Sequence, residues 1–281
     1  MTKMDRLNRL MSVIFRSYNV LQNISYLVDG KTQNLISKNI ELKDTGDEQC
    51  FIIGNGPSLN TVNLSEIANY DTFTVNFFHR GEKSSQVCSN YHLMIDGAFY
   101  TRDNIDYLIE TYAKNKNTKF IFNVKGYDIL CKYGLELDRA FFISQKLVQY
   151  GNYVRVDMTR DMTASVNVVL AAIQCALYIG YKNIYLIGCD FNSYATLRPS
   201  HFYQESETDR TVPMGVDLQW SAFAHFHHYA LANFARENGI LILNATHGSL
   251  IDAYERVDLD YLLNTLKGSQ HFSGHSLSDT N

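Results

Sequence analysis

Apolar residues recur at three- and four-residue steps near the start of the chain, at Leu7, Leu10, Met11, Ile14, Phe15, Tyr18 and Leu21. That spacing predicts an amphipathic helix, with Arg6, Arg9 and Arg16 on its other face. Its apolar stripe is expected to pack on the domain or on a second copy of the chain. A basic helix of this kind could instead rest on the inner membrane surface. Residues 30–47 are polar and read as a linker, so residues 1–45 form a helix and a connection.

The pattern then changes. Residues 50–53, Cys-Phe-Ile-Ile, form a short unbroken apolar run, as expected of a buried parallel strand. Further strands are predicted over 72–77, 91–95, 119–124, 183–189 and 240–244. Helical patterns lie between them at 100–114, 165–179 and 218–238. Strands alternating with helices predict an α/β fold, a mostly parallel sheet with helices on both faces. The domain is expected over 46–267. Residues 190–216 lack clear periodicity, hold two of the three prolines and follow a strand end, which suggests a functional lid. The polar stretch 268–281 reads as a disordered tail.

Composition narrows the function. The 281 residues are 46% hydrophobic and 19% charged, a globular balance. A net charge of -4 argues against nucleic acid as a partner. Cys50, Cys88, Cys131, Cys175 and Cys189 include no CxxC pair, and three sit in apolar runs, so they read as free thiols in a reducing compartment. Arginines interrupt the first apolar stretch, and no run approaches the ~18 apolar residues of a membrane span. A cytoplasmic protein is expected, with peripheral contact to the inner membrane as a variant.

The first strand leads into Gly54-Asn55-Gly56-Pro57-Ser58-Leu59. Two glycines let backbone amides approach an anion, Pro57 suits the first turn of a helix, and Ser58 adds a hydroxyl. The loop lacks the Gly-Lys-Ser/Thr of a Walker sequence and the third glycine of the dinucleotide fingerprint. A tight structural turn explains it equally simply. Met162-Thr163-Ala164-Ser165 precedes a second, long apolar helix. Thr163 or Ser165 could cap it, or hold a phosphate with Arg160 nearby.

These segments, with Thr74-Val75-Asn76-Phe77 and Gly180-Tyr181-Lys182-Asn183-Ile184-Tyr185-Leu186-Ile187-Gly188-Cys189-Asp190-Phe191, resemble the bacterial sialyltransferases of glycosyltransferase family 42. They also resemble the broader 6-hydroxymethylpterin diphosphokinase-like family, which includes nonulosonate-linked flagellin glycosylation proteins. Asn244-Ala245-Thr246-His247-Gly248-Ser249 and Glu255-Arg256-Val257-Asp258 fit the broader group better. The likeness spans roughly residues 48–260. It implies a Rossmann-like, GT-A-like domain that uses a CMP-activated sugar with no cofactor and no metal. Asn55 and Asn76 match nucleotide-contacting asparagines. Asp96 falls near a third, where the change to Asp departs from the pattern. Thr163 and Ser165 approximate a Thr-Ser pair beside the leaving nucleotide, although the following helix is about one turn longer.

Sugar transfer requires a base for the acceptor hydroxyl and donors for the departing phosphate. His201, in Ser200-His201-Phe202-Tyr203, falls where the sialyltransferases carry their base histidine. Tyr194 and Tyr203 are the phenols on the phosphate side, and His247 is a rival base. Asp258-Leu259-Asp260 is a formal DxD but reads as a helix start. His225, His227 and His228 on one helix are read as solvated or core-edge side chains rather than a metal cluster, and Trp220, Phe223 and Phe226 as core.

The expected function is transfer of a nonulosonic (sialic-type or Kdo-like) sugar from a CMP donor to a bacterial surface glycan or lipid-linked acceptor. One alternative is a magnesium-dependent pterin-type diphosphokinase using Asp96 and Asp190. The other is a non-catalytic nucleotide-binding module of a glycan-assembly complex.

Overall fold

The computed structural model describes residues 3–192, 195, 201–204 and 213–273. Its strands are β1 (Gln49–Ile53), β2 (Asp71–Val75), β3 (Tyr91–Met94), β4 (Lys119–Asn123), β5 (Ala140–Leu147), β6 (Asp161–Thr163), β7 (Asn183–Ile187), β8 (Leu241–Asn244) and β9 (Glu255–Arg256). They form one sheet in the order β6-β5-β4-β3-β2-β1-β7-β8-β9. Every neighbouring pair is parallel. The helices are α1 (Lys3–Val28), α2 (Gly30–Ser37), α3 (Ile105–Lys114), α4 (Tyr127–Lys132), α5 (Val168–Ile179), α6 (Met214–Glu237) and α7 (Leu259–Ser273). The fold is the Rossmann-like α/β architecture that the alternation predicts.

Both faces of the sheet are covered, so the central strands are apolar on both sides. Phe51, Ile52 and Ile53 of β1 are fully buried. Ile52 packs under α5 and α6, whereas Phe51 and Ile53 meet Leu262, Leu263 and Leu266 of α7. A third cluster joins Phe120, Phe122 and Phe142 to Leu108 of α3, Leu130 of α4 and Ile36 of α2.

The polar segment 30–47 is not a free linker. Asp29 caps α2 by accepting from the Thr32 amide, and Ile36 and Leu42 are buried. The fully buried Asn39 donates to the carbonyls of Phe142 and Met158, 2.6 Å each. Polarity here serves backbone pairing rather than solvation. β5 and β6 are strands beyond those expected, although β5 opens on the unbroken apolar run 140–143. Helix α5 begins at Val168, with Asn167 as its cap, so neither Thr163 nor Ser165 caps it. At the far end α7 continues past Gly268 to Ser273, and α6 takes in residues 214–216 of the expected lid.

Two helices turn their apolar sides outward. Helix α1 is fastened by polar groups: Asn19 exchanges two 2.8 Å hydrogen bonds with the Val148 backbone, and Tyr26 donates to Thr159 O at 3.0 Å. Arg155 donates to Asn23 Oδ1. Leu10, Met11, Ile14, Tyr18 and Leu21, expected to pack inward, are exposed. Trp220, Phe223 and Phe226 of α6 are exposed as well, not core. The buried side of α6 is instead Ser221, Ala224, His227, His228, Leu231 and Ala235, whose small members allow close approach to α5.

His227 and His228 are therefore interior residues rather than solvated ones. Burial pushes His227 down to about 4, and His79 likewise, while His92 and His228 fall well below the ordinary value of 6.5. His92 is held neutral between Thr74 Oγ1 at 2.8 Å and Asn76 O at 3.1 Å. Above pH 6.5 these rings are neutral in folded and unfolded chains alike. Below it the unfolded chain takes up protons that the folded chain refuses, so stability falls as pH drops from 6.5 toward about 4. The slope approaches about 1.4 kcal/mol per pH unit for each such histidine. Urea midpoints at pH 7.5 and 5 should differ accordingly, and His227→Leu should reduce the difference by the share of one of the four histidines. An unchanged midpoint would contradict the neutral assignment.

Candidate functional site

The strand order changes direction between β1 and β7, and their C-terminal loops part there to open a crevice, the usual ligand position in such sheets. The two loops are tied together before they part. Gly54 N donates to Ile187 O and Gly56 N to Gly188 O, both at 2.8 Å. A Cβ on Gly54 would strike Gly188 O, and one on Gly56 would overlap the Asp190 carboxylate. Ser58 then donates to that carboxylate twice, from its amide at 3.1 Å and its hydroxyl at 2.7 Å. The following turn, Pro57–Thr61, is a single short 3-10 segment. The anion seated in the glycine loop is thus the protein's own Asp190, and the glycines answer to chain-on-chain approach. The Ser58 amide and hydroxyl are thereby occupied and Gly54 does not line the main cleft, whereas Gly56 does.

The residues 244–249 brace the same junction from behind. Thr246 Oγ1 accepts from the Cys189 amide at 3.0 Å, Ser249 Oγ donates to Cys189 O at 2.7 Å, and Asn244 donates to Ser249 Oγ at 3.0 Å. His247 itself is exposed and borders a separate cleft of about 270 Å³ with Ser58, Asp258 and Asp260. It does not share a cavity with His201. Asp258 accepts from the Tyr261 amide at the start of α7, as a helix-start carboxylate should.

The main cleft encloses about 810 Å³ over the C-terminal ends of the strands. Asn55, Asn76, Asp96, Asn123, Gln145 and Ser165 supply its polar wall, following β1 to β4, within β5, and after β6. Among the described residues no lysine or arginine borders it. Asn76 adopts a left-handed backbone, φ +48°, which asparagine tolerates. Its amide nitrogen donates to Leu93 O, and its carbonyl accepts from His92. Asn55 donates its side-chain amide to Val75 O at 3.0 Å. The side-chain oxygens of both asparagines are buried without a protein partner. The same holds for one oxygen each of Asn39, Asp161 and Gln174, which do not line the cleft. Asp96 caps a short turn through Ala98 N and lies at the cleft edge.

Helix α5 presents its first turn to this cleft through Val166, Asn167, Val168 and Val169. Ser165 lies just before it and accepts from Gln145 and Gln174 at 3.0 and 2.7 Å. Thr163 does not join it: the residue is buried in β6 and its hydroxyl accepts from the Arg155 amide at 2.8 Å. Arg160 is exposed ahead of β6, near Tyr26 of α1, and is not among the cleft's lining. A strand in place of the expected helix start turns both side chains away.

His201 borders the cleft, its ring stacked on Tyr203 at 4.8 Å and 13°. The next residue is anchored: Phe202 N donates to Asn55 O at 2.9 Å, and its ring packs on Phe78 and over Gly81. Tyr203 is buried against Phe77 and packs this strap rather than lining the cavity. Tyr194 lies outside the described residues. The structure therefore brings Asn55, Gly56, Asn76, Asp96, Ser165, Asp190 and His201 to one cavity. Asn123 and Gln145 join them without having been singled out; Asn123 was legible at the end of its strand, Gln145 was not.

Because Asp190 and Gly56 share one space, Gly56→Ala should destabilise the chain by roughly 2–4 kcal/mol. Ser58→Ala should cost roughly 1–3 kcal/mol by leaving a carboxylate oxygen unpaired. Urea unfolding checks both. Full stability in Gly56→Ala would show that the carboxylate is free to leave the loop.

A family model described as 6-hydroxymethylpterin diphosphokinase MptE-like matches residues 18–195. No curated protein matches. Among solved structures, the sialyltransferase CstII from Campylobacter jejuni in complex with the substrate analogue CMP-3FNeuAc is similar at 16% identity, covering 75% of this chain and 86% of that one, with a TM-score of 0.46. The same enzyme with cytidine-5'-monophosphate gives 15% identity, 75% and 85% coverage and a TM-score of 0.46. With its model spanning well over half of the sequence, the chain belongs to the 6-hydroxymethylpterin diphosphokinase MptE-like family.

Proposed function

We propose that this cleft binds a CMP-activated nonulosonic sugar and transfers the sugar to a glycan or lipid-linked acceptor, with His201 as base and no required metal. The observation that carries the reading is the gathering of Asn55, Asn76, Asp96, Ser165 and His201 at one cavity over the C-terminal strand ends. Polar side chains of this kind suit the ribose hydroxyls and exocyclic amine of a nucleotide. The motif resemblance to the family 42 sialyltransferases points the same way.

In this reading His201 takes the proton of the acceptor hydroxyl. The hydroxyl oxygen attacks the anomeric carbon as its bond to the phosphate oxygen breaks, and CMP leaves with both bonding electrons. The first turn of α5 and Ser165 are donors for the charge that develops on that phosphate. Asp96 at the cleft edge suits a sugar hydroxyl.

Pyrophosphoryl transfer is the reading that the family's description brings forward. It needs carboxylates to hold magnesium between phosphates. Of the candidate pair, Asp190 already accepts from Ser58 on both oxygens and is held in the loop, which leaves fewer of its lone pairs for a metal. That commitment favours glycosyl transfer. An acceptor at a membrane surface is compatible with the outward apolar face of α1, although among the described residues no helix is long and apolar enough to cross a membrane.

Melting temperatures with CMP, CTP, GTP, UDP and ATP, with and without magnesium, test the reading. CMP should raise the melting temperature without metal, by mass action. Stabilisation only by triphosphates with magnesium would overturn it in favour of pyrophosphoryl transfer, and no response at all would remove both. His201→Ala should lower turnover at least about 100-fold while leaving CMP affinity near the wild-type value. Unchanged turnover would take His201 out of the mechanism.

A further inference from the structure

We propose that Gln145 and Gln174 are positioning residues that lock the Ser165 hydroxyl as a donor aimed into the cleft, toward an anionic oxygen of the bound substrate. The inference rests on reading this cleft as the nucleotide-sugar site, and it adds how one of its donors is set.

Gln174 is an anomaly in its helix. Helix α5 reads Val-Val-Leu-Ala-Ala-Ile-Gln-Cys-Ala-Leu-Tyr-Ile, and Gln174 sits within it fully buried. A buried amide is costly unless its polar atoms are used. Its oxygen has no partner. Its nitrogen has two, Ser165 Oγ at 2.7 Å and Thr163 O at 3.2 Å. Gln145, from β5, repeats the arrangement from the other side, with Ser165 Oγ at 3.0 Å and Thr163 O at 3.5 Å.

The Thr163 carbonyl decides which way both amides face. A carbonyl only accepts, so nitrogen, not oxygen, must lie toward it in each glutamine. Both glutamines therefore donate to Ser165. A serine hydroxyl has two lone pairs and one proton. With both lone pairs occupied, the proton needs an acceptor elsewhere, and among the described residues Ser165 has no other hydrogen bond. The side of Ser165 left open borders the cleft.

Its surroundings there are donors too. The amides of Val168 and Val169 belong to the first turn of α5, where helical partners are lacking, while Asn167 has already taken the Leu170 amide. The donors that the described residues offer at this wall are the Ser165 hydroxyl and the first-turn amides. The substrate group that fits is an anionic oxygen, of the nucleotide phosphate or of the sugar carboxylate. Neutral packing alone would be met by Leu or Met at position 174.

The test is a double-substitution cycle on the full chain. Calorimetry measures affinity for CMP, UDP and N-acetylneuraminic acid in wild type, Ser165→Ala, Ser165→Thr, Gln145→Met, Gln174→Met and Ser165→Ala with Gln145→Met. Ser165→Ala should weaken the anion-bearing ligand about tenfold, and Ser165→Thr should retain affinity. Gln145→Met should also weaken it, but should add nothing once Ser165 is Ala, because it acts only through that hydroxyl. Gln145 is only half-buried, so its variant remains informative if Gln174→Met does not fold. An effect on CMP assigns the phosphate, whereas an effect on N-acetylneuraminic acid alone assigns the carboxylate. If CMP binds and Ser165→Ala changes nothing, or the two substitutions add independently, the positioning proposal is overturned and the donor reading stands. If UDP but not CMP binds, and does so through Ser165, the CMP reading fails and the positioning proposal stands. If no probe binds, both are overturned.

Discussion

The Asp190 carboxylate, held by the amide and hydroxyl of Ser58, joins the ends of β1 and β7 where the sheet reverses its strand order. Much follows from that one contact. It requires glycine at 56, because any side chain there would occupy the carboxylate's position. It removes the glycine loop from the set of free anion sites. It also fixes the floor from which the cleft opens, with Asn55 on one side and Phe191 on the other. In the proposed reading, negative charge on a ligand meets the first turn of α5 and Ser165. The Asn244, Thr246 and Ser249 network holds Cys189 and so keeps Asp190 in register with Ser58.

Buried polar side chains do much of the organising elsewhere in the molecule. Asn39 pins the chain between α2 and β1 to two strand-side carbonyls, and Asn19 fastens α1 by its polar side. Thr74, Ser89 and His92 form a chain beneath Asn76, whose strained backbone they support through the His92 bond to its carbonyl. These contacts demand one geometry, so each costs heavily if displaced. Asn55 and Asn76 are different in that both line the main cleft, side by side at the ends of neighbouring strands.

Legibility in the sequence followed burial. β1, β3, β4, β7 and β8 are mostly apolar and β2 alternates Thr with Phe and Val, and the pattern finds all six within a few residues. β6 escapes it because Asp161 and Thr163 are buried through hydrogen bonds rather than through apolarity, whereas β5 carries the apolar run 140–143, which was open to the same reading as β1. That miss propagated to the site. With β6 unrecognised, Thr163 and Arg160 were placed with Ser165, and Gln145 was not considered at all. The Asp190–Ser58 pairing spans 132 residues and carries no local signal. His201, Asn55 and Asn76 were legible through motif resemblance, and they do converge. His247 was not separable from His201 by sequence, because only the path of the chain after β8 sends it to the other cleft. Nor could hydrophobic spacing reveal that α1 turns its polar residues inward, since periodicity identifies a stripe but not its direction.

The most direct measurement is a crystal structure of the protein with CMP bound. The account predicts the phosphate against the first turn of α5, within hydrogen-bonding distance of Ser165, with Asp190 still on Ser58. A phosphate seated in the Gly54–Ser58 loop with the Asp190 carboxylate displaced would contradict it.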